Sequence, residues 1–211
     1  MNRQELIEYI DNCIMLGNVV TRDDELYKNL FTYYRSYCEN VLDSVFIDGF
    51  YVKMDVENKI HLVYYDGGYK ELDLGDCIDV IDDYAFAYRY MHHIVRQRLV
   101  SIKGESVVYI GVEAFAESSV KEVDFPNVER IGYQCFKSSK VENVKFNKLN
   151  YIPNRAFSNS ELKSIEGKEV TFLGDAAFSN CKNLQFVKLP NVEDVGFKVF
   201  EFSSYQNFQI K

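Results

Sequence analysis

One six-residue phrase returns at a nearly constant interval through the last two-thirds of the chain. It starts with an aliphatic residue, usually continues with glycine, and ends with a small or β-branched residue followed by phenylalanine. The six copies are Ile81–Phe86, Ile110–Phe115, Ile131–Phe136, Ile152–Phe157, Leu173–Phe178 and Val195–Phe200. Their phenylalanines are 29, 21, 21, 21 and 22 residues apart. A constant period of about twenty indicates one supersecondary unit stacked on itself, a solenoid whose coils bury a shared core.

The residues around each phrase repeat in the same register. An apolar residue stands three positions before each aliphatic one, and an apolar triplet such as that in Val141–Phe146 follows each phenylalanine. The last two members of the triplet alternate in the manner of a strand with one face inward. The first interval is longer because it contains an insertion, after which the pattern of Leu162–Val170 returns at Leu99–Val107. An earlier triplet at Tyr69–Leu74 supplies the opening strand.

This unit resembles the BspA-type leucine-rich repeat, which runs roughly Leu-x-x-Ile-x-Ile-Pro-x-x-Val-x-x-Ile-Gly-x-x-Ala-Phe-x-x-Cys. Leu173–Asn191 is a nearly complete copy, with Cys181 and Pro190 in the expected places. The resemblance covers residues 69–211 and implies a β-rich α/β solenoid, a right-handed coil of six repeats with a parallel sheet along one side. It also implies a second short strand at Val-x-x-Ile and a helical turn at Ala-Phe. Pro153 in place of one glycine is a departure that affects the local turn and not the fold.

Residues 1–68 lack the repeat and are predicted to form an acidic N-terminal cap of helices and a β-hairpin. Apolar side chains on one face predict a helix over Glu5–Leu16, and a second helix is predicted over Thr21–Val41. Val45–Met54 is rich in β-branched and aromatic residues, and a strand is predicted over Ile60–Tyr65. A cap is expected because the first coil of a solenoid would otherwise expose a sheet edge and an apolar end.

Composition favours a folded protein of a reducing compartment. The chain is 47% apolar and 15% aromatic, which suffices for a substantial core over 211 residues. No apolar stretch approaches the roughly 18 residues of a membrane span. Met1–Glu5 begins an amphipathic helix rather than a basic leader with an apolar run. The five cysteines show no paired spacing and are predicted to be free thiols, so we expect a cytoplasmic protein without membrane contact.

The acidity of the chain is concentrated in its N-terminal part. Residues 1–76 carry 15 acidic and 7 basic side chains, a net charge of −8, whereas residues 77–211 carry 17 of each. A solvated surface that keeps the protein soluble explains this pattern, and so does a docking face for a basic partner that includes Asp23, Asp24 and Glu25. The second interpretation extends to an inhibitor that mimics a nucleic-acid backbone. Direct nucleic-acid binding is not expected, because no basic stripe is present to displace counterions from phosphates.

The outward residues of the predicted sheet form two columns. The first alternates in sign and comprises Asp73, Lys103, Asp124, Lys145, Glu166, Lys188 and Gln209. Neighbouring strands lie about 4.8 Å apart, so each charge faces an opposite one and the column is neutral. The second is polar and comprises Glu71, Ser101, Glu122, Asn143, Ser164, Phe186 and Asn207. Phe186 is its aromatic exception, and two interpretations stay open: a protein-contact anchor, or a lone exposed phenylalanine.

The insertion at residues 87–98 is the other irregularity of the repeat. It contains arginines, histidines and tyrosines but no acidic residue, and we expect it to lengthen one coil into a projecting helix. Insertions in solenoids often mark binding faces. The candidates for partner contact there are Tyr88, Arg89, Tyr90, His92 and Arg96. The alternative is an internal brace, in which this basic helix packs against the acidic cap.

Motifs for catalysis, cofactor binding or metal binding do not stand out. His92 and His93 are adjacent, and adjacent helical residues point about 100° apart rather than toward one ion. Asp82 and Asp83 lie at a predicted turn, which favours helix capping over acid–base chemistry. We therefore expect no enzymatic activity, no cofactor and no metal.

Three functional hypotheses follow. The favoured one is a non-enzymatic cytoplasmic protein-interaction module that uses the solenoid surface and the acidic cap. The alternatives are an inhibitor of a nucleic-acid-binding or host-defence protein, and a surface adhesin, a role that the family resemblance implies. The last triplet lies directly before Lys211, which predicts an open solenoid edge that pairs with a second copy or with a partner.

Overall fold

A computed structural model describes residues 1–25, 27–28, 41–65, 68–87 and 99–205. Its helix α1 spans Arg3–Met15. The strands are β1 (Val45–Ile47), β2 (Phe50–Met54), β3 (Ile60–Tyr65), β4 (Glu71–Asp73), β5 (Val80–Ile81), β6 (Ser101–Lys103), β7 (Tyr109–Ile110), β8 (Glu122–Asp124), β9 (Arg130–Ile131), β10 (Asn143–Phe146), β11 (Tyr151–Ile152), β12 (Ser164–Gly167), β13 (Phe172–Leu173), β14 (Phe186–Lys188) and β15 (Asp194–Val195). The first predicted helix and the strand over Ile60–Tyr65 are confirmed, whereas most of the second predicted helix lies outside the described residues.

Each coil of the solenoid supplies one strand to each of two parallel faces. The main sheet has the strand order β14-β12-β10-β8-β6-β4. The side sheet has two pieces, β1-β2-β3-β5-β7-β9 and β11-β13-β15, and contains the two-residue strand that opens each phrase. The predicted parallel sheet and the predicted second short strand are therefore confirmed. The register within the main sheet is also the predicted one, as in Glu166 opposite Lys188.

The six anchor phenylalanines form a single column through the interior. Successive ring centroids from Phe86 to Phe200 lie 4.9, 5.2, 5.2, 5.5 and 5.3 Å apart, and the rings are within 10° of parallel. All of them except the half-buried Phe200 are fully buried. Each aromatic pair adds ~0.5–1.5 kcal/mol beyond the area that it buries. Tyr65 of the cap extends the column, with its ring 5.3 Å from that of Phe86.

The Ala-Phe arc of each coil consists of β-turns, so the expected helical turn is wrong. In the coil over residues 111–118, the N–H groups of Ala114, Ala116 and Ser118 each donate to the carbonyl three residues earlier, which gives three overlapping turns. Glu113 and Glu117 have positive φ angles of 50° and 57°, which interrupt any helix. The N–H groups of Glu113, Phe115 and Glu117 instead donate to carbonyls of the next coil at 3.0, 2.9 and 2.8 Å. These N–H groups therefore join neighbouring coils as a hydrogen-bond ladder. In a helix the same groups would bond within the arc itself.

Glycine within the phrase allows neighbouring coils to approach closely. A Cβ on Gly174 would lie 2.4 Å from Oδ1 of Asn154 and 2.5 Å from its backbone nitrogen. That amide oxygen accepts the N–H of Asp175 at 2.9 Å and so ties the two coils together. Asp175 in turn accepts the N–H of Phe197 at 2.7 Å. The phrase needs glycine here because the preceding coil fills the space that a side chain would take.

Pro153 replaces that glycine in one coil and interrupts the side sheet. In another coil the N–H of Gly132 donates to the carbonyl of Ile110 at 2.7 Å. Proline has no N–H to donate, and the side sheet divides at this point, between β9 and β11. The stack nevertheless continues, because the rings of Phe136 and Phe157 remain 5.2 Å apart. The effect of the proline is therefore local, as the sequence predicts.

The N-terminal segment closes the first coil by extending both its sheet and its core. Asn2 and Glu5 form a capping box at the start of α1, which buries Leu6 and Ile10. Strands β1, β2 and β3 pair in antiparallel fashion, and β3 pairs in parallel with β5 of the first coil. The buried residues of α1 belong to the same hydrophobic cluster as the coils. The N-terminal segment and the coils therefore share one hydrophobic core, and the predicted division into residues 1–68 and 69–211 stays a prediction.

Two polar contacts fix the cap against the first coil. Arg3 donates to both carboxylate oxygens of Asp79, at 3.1 and 2.6 Å. His61 on β3 contacts Asp82 through Nδ1 at 2.6 Å and Asp55 through Nε2 at 3.2 Å. Burial alone would lower the pKa of His61, but the bonds to the two carboxylates outweigh it and raise the pKa. Asp82 therefore holds an imidazole of the cap, and the predicted role in helix capping is wrong because no helix forms there.

Candidate functional site

Two pairs of opposite charges within the charged column on the outer face of the main sheet form ion pairs. Lys103 Nζ lies 2.8 Å from Asp73, and Lys188 Nζ lies 3.5 Å from Glu166. The hydrogen bond from Lys103 is the main reason that the pKa of Asp73 is lowered. Exposed pairs of this kind contribute little stability. Their effect here is to cancel charge along the column, so that the face does not favour a strongly charged ligand.

Phe186 is an exposed apolar side chain on that same face. Its side chain on β14 is 48% exposed. Ser164 lies beside it in the register and donates to Asn143 of the next strand at 2.6 Å. Ser164 and Asn143 thus bond to each other across strands. The ring of Phe186 therefore stands beside a polar group that is already hydrogen-bonded.

The acidic residues near Thr21 are all exposed but play different roles. Asp24 accepts hydrogen bonds from the N–H of Thr21 at 2.6 Å and from its hydroxyl at 2.8 Å. These two bonds, the backbone one first, lower the pKa of Asp24. Asp24 therefore stabilises the predicted start of the second helix, where helical residues begin at Glu25. A docking role for Asp23, Asp24 and Glu25 stays a prediction.

The stack keeps its register on the two sides of the insertion. The first residue of the insertion, Ala87, and the residue that follows it, Leu99, are both buried. Strand β6 then pairs in register with β4, with Ser101 opposite Glu71. The five candidate contact residues of the insertion lie outside the described part of the chain: Tyr88, Arg89, Tyr90, His92 and Arg96. Both interpretations of the insertion, the partner contact and the internal brace, stay predictions.

An aromatic column on the outer face of the side sheet was not predicted from the sequence. It consists of the residues that directly precede the aliphatic residue of four phrases: Tyr109, Arg130, Tyr151 and Phe172. The guanidinium carbon of Arg130 lies 5.3 Å from the ring centroid of Tyr109, and the rings of Tyr151 and Phe172 are 5.1 Å apart. Each strand has two residues, of which the second faces inward and the first outward. That alternation is the sequence signal for this outer aromatic column.

A shallow groove of about 510 Å³ lies along the arcs of the last coils. Its lining includes Arg155, Lys198 and Glu201, together with Phe197, whose side chain is exposed. Lys198 Nζ lies 2.7 Å from Glu201 and 5.3 Å from the ring centroid of Phe197. The cation is therefore engaged within the groove itself.

The described cysteines are free thiols, namely Cys13, Cys77, Cys135 and Cys181. The prediction is confirmed for these four, and Cys38 lies outside the described residues. Burial raises the pKa of Cys135 well above its ordinary value and that of Cys181 to about 11. A thiol is nucleophilic and binds metals as the thiolate, so both of these side chains serve packing.

The described ranges contain neither a metal centre nor a membrane-spanning helix. No cluster of histidine, cysteine and carboxylate side chains in them is arranged to hold a metal ion. The helices described there also lack the length and apolar character needed to cross a bilayer.

Comparison with known families places the chain. The model of the BspA type Leucine rich repeat region matches residues 80–207 in 6 copies. The chain belongs to the BspA-type leucine-rich repeat family. The matched region begins at β5, the first two-residue strand of the side sheet. The family expected from the phrase at Leu173–Asn191 is therefore confirmed.

Solved structures similar to this BspA-type chain are bacterial leucine-rich repeat proteins. The T. pallidum leucine-rich repeat protein is 19% identical with a TM-score of 0.45, over 75% of this chain and 66% of that one. The pneumococcal vaccine antigen PcpA is 18% identical with a TM-score of 0.47, over 76% and 47%. A leucine-rich cell surface protein of Faecalibacterium prausnitzii A2-165 is 16% identical with a TM-score of 0.37, over 68% and 54%. The chain thus spans 47 to 66% of the length of these proteins. A comparison with curated proteins gave no match.

Proposed function

We propose that this protein is a non-enzymatic cytoplasmic interaction module that binds a protein partner through the outer face of the main sheet. Leucine-rich repeat solenoids are generally protein-interaction or surface-type modules. The observation that carries the proposal is the exposed ring of Phe186, beside which the charges of Glu166 and Lys188 are paired. Aromatic side chains, phenylalanine included, are enriched at protein interfaces relative to the rest of the surface.

The surroundings of Phe186 favour a contact that costs little to form. The ring projects from a strand of a six-stranded parallel sheet, so its backbone is already ordered before binding. The hydroxyl of Ser164 already bonds to Asn143, and the ammonium of Lys188 pairs with Glu166. A partner that covers this face buries the ring without leaving these polar groups unsatisfied.

The test compares two variants of the same column. The tagged chain is used to capture a partner from its source cells, and the purified partner is then titrated by calorimetry. Phe186→Ala is expected to raise the Kd about 30-fold, because truncating an aromatic anchor costs ~2 kcal/mol or more of binding free energy. Ser164→Ala is the matched control and is expected to change Kd by less than about threefold. Equal affinities of the wild type and Phe186→Ala would contradict the proposal.

A second candidate is an inhibitor that engages a basic, nucleic-acid-binding protein or a host-defence protein through the acidic N-terminal region. The exposed side chains of Asp23 and Glu25 favour it. The combined variant Asp23→Asn and Glu25→Gln would then weaken capture of a basic partner, most strongly at low salt. A loss with this variant but not with Phe186→Ala supports the inhibitor over the main-sheet module.

Export and self-association are separate proposals with their own tests. A surface adhesin must leave the cell, so recovery of the chain only from the cytosolic fraction removes that alternative. Pairing between two copies through the last coil predicts a concentration-dependent increase in mass in sedimentation experiments. A constant monomer mass at high concentration contradicts such pairing.

A further inference from the structure

The outer aromatic column of the side sheet (Tyr109, Arg130, Tyr151 and Phe172) is not explained by packing. Tyr109 is opposite Arg130 in the register, and Tyr151 is opposite Phe172. Strands β9 and β11 stay in contact across the interruption at Pro153, so the column is continuous. Tyr151 is 41% exposed, Arg130 is exposed, and the other two side chains are half-buried. The column therefore presents aromatic surface to solvent from rigid strands.

The residues that follow these strands add no exposed side chain beside the column. Two residues after Tyr109, Arg130, Tyr151 and Phe172 the chain has Gly111, Gly132, Pro153 and Gly174, and all four are buried. Tyr133, which follows Gly132, exposes another aromatic side chain, of which 41% is accessible.

Carboxylates stand at both ends of the column. At the end nearer the cap, Asp83 accepts the N–H of Val112, three residues after Tyr109, at 2.6 Å; burial and then the charge of Asp83 raise the pKa of Tyr109. At the other end, Asp194 lies opposite Phe172 in the register. Asp194 and its neighbour Glu193 are both exposed. A ligand that covers the column would thus place its own ends close to negative charge, which favours basic residues there.

The spacing of the rings fits a polyproline-II segment. Tyr109 and Tyr151 are two coils apart, and two steps of a parallel sheet amount to about 9.6 Å. A polyproline-II helix rises about 3.1 Å per residue and has three residues per turn, so equivalent side chains recur every ~9.3 Å. An ordinary extended strand repeats its side chains at ~6.6 Å, which matches neither one coil nor two. Successive turns of a polyproline-II helix therefore meet equivalent rings.

We propose that the outer aromatic column binds a proline-rich segment of a protein partner that carries basic residues. The prolines pack against the exposed rings, and the basic residues lie near Asp83 and near Glu193–Asp194. Aromatic surfaces that recognise preformed polyproline-II helices lose little conformational entropy on binding, because neither side has to be ordered. This site lies on the side sheet, whereas Phe186 lies on the main sheet. It therefore goes beyond the proposed function.

The test uses the whole chain and defined peptides. A fluorescent peptide of Pro-Pro-Arg repeats is titrated and its anisotropy measured, beside Ala-Ala-Arg repeats of equal charge and Pro-Pro-Glu repeats of equal conformation. We expect the Pro-Pro-Arg peptide to bind at least about tenfold more tightly than either comparison peptide. No binding of Pro-Pro-Arg, or equal binding of Ala-Ala-Arg, overturns the proposal. Direct binding of a neutral soluble oligosaccharide, without binding of Pro-Pro-Arg, assigns the rings to sugar stacking and also overturns it.

Variants then locate the site and separate it from the main sheet. Tyr151→Ala is expected to raise the Kd for Pro-Pro-Arg about tenfold or more, whereas Tyr151→Phe retains most of the affinity. Glu193→Gln with Asp194→Asn is expected to weaken it about threefold and to reduce its dependence on salt. Phe186→Ala is the matched control and leaves this Kd unchanged, since it alters only the main-sheet face. Unchanged affinity in Tyr151→Ala, with circular dichroism confirming the fold, overturns the assignment.

Discussion

Coils of the solenoid hold each other by different means from those that hold the cap to the first coil. Between coils, the contacts are buried rings such as Phe136 on Phe157, 5.2 Å apart, and backbone ladders repeated in every turn. Between the cap and the first coil, a parallel strand pair and one ring contact are supplemented by ionic contacts of Arg3 and His61. The first set is apolar and repeated, whereas the second is single-copy and partly titratable.

The difference predicts which perturbations change the stability of each region. In a repeat protein, stability is close to a sum of coil terms and nearest-neighbour interface terms. Losing one interior ring should therefore divide the stack at that coil, whatever the pH. The junction with the cap should respond to charge and pH, because its polar groups include an imidazole and carboxylates.

The largest effect is expected inside the column. Phe157→Ala removes a fully buried ring that stacks on Phe136 and Phe178. We expect a loss of ~3–5 kcal/mol in the free energy of unfolding, measured by urea denaturation, because the cavity cannot close without moving both neighbouring coils. Phe186→Ala is the matched control, since its ring is on the surface, and should cost less than ~1 kcal/mol. Similar losses in the two variants would show that the column does not carry the stack.

The next largest effect is expected where two coils approach most closely. Gly174→Ala places a Cβ 2.4 Å from Oδ1 of Asn154 and 2.5 Å from its backbone nitrogen, and the backbone there cannot yield without breaking the bond to Asp175. We expect a loss of ~1–3 kcal/mol in the same urea experiment. Gly68→Ala has no atom within 4 Å of its Cβ and serves as the control, with an expected change below ~0.5 kcal/mol. A tolerated alanine at 174 would mean that the coils are less tightly packed.

The same contrast explains what could be predicted from the sequence. The period placed Phe86–Phe200 in one column and set the main-sheet register, because inward positions must repeat for a stack to close. The positive φ angles of the turns were not predicted, because glutamate, the residue type of Glu113 and Glu117, does not indicate a positive φ. The contact of His61 with Asp82 was missed because it occurs once and joins segments without a shared pattern.

The outer aromatic column escaped prediction for a related reason. Its first and last neighbours in the same position are Val80 and Asp194, so no residue type repeats there as phenylalanine does inside. Outward positions are free to vary, since they do not have to fit the adjoining coil. The candidate Phe186 was found only because a polar column surrounded it.

A pH titration is expected to affect the junction and spare the coils. The pKa of His61 is above its ordinary value of 6.5 in the folded chain, so the imidazolium contributes stability that is complete below pH 6.5. That contribution is lost as the pH rises through the raised pKa, and the loss should stay below ~1.5 kcal/mol, less than one strong charge-assisted bond. The pKa of Asp55 is lowered, chiefly by the Lys59 N–H, so Asp55 stays ionised in this window.

His61→Gln is the variant that isolates this dependence. Glutamine keeps a hydrogen-bond donor for Asp82 but does not titrate, so the free energy of unfolding should lose its decline above pH 6.5. Phe157→Ala, by comparison, should keep the wild-type slope at lower overall stability. A wild-type slope that persists in His61→Gln would assign the pH dependence to other groups.

The smallest effect is expected from Asp83→Asn, which gives the first coil the same acceptor residue that a later coil has at the equivalent position. Asp83 accepts the N–H of Val112 at 2.6 Å, and Asn154 accepts the N–H of Asp175 at 2.9 Å in the equivalent place. Burial raises the pKa of Asp83, which means that its charge is costly in the folded state. Asp83→Asn keeps the acceptor and removes the charge, so we expect a gain of a few tenths of a kcal/mol at neutral pH, by urea denaturation.

The pH dependence of that gain distinguishes the charge from the hydrogen bond. A carboxyl whose pKa is raised by folding destabilises the protein only above its unfolded value of 3.8, so the gain from Asp83→Asn should vanish when the pH falls below that value. Asp83→Ala removes the acceptor as well and should cost about 1 kcal/mol, since the N–H of Val112 is left unsatisfied. If asparagine and alanine are equally harmful, the charge itself is required at the junction. In that case the first coil, whose carboxylates lie at the junction with the cap, is not equivalent to the later coils.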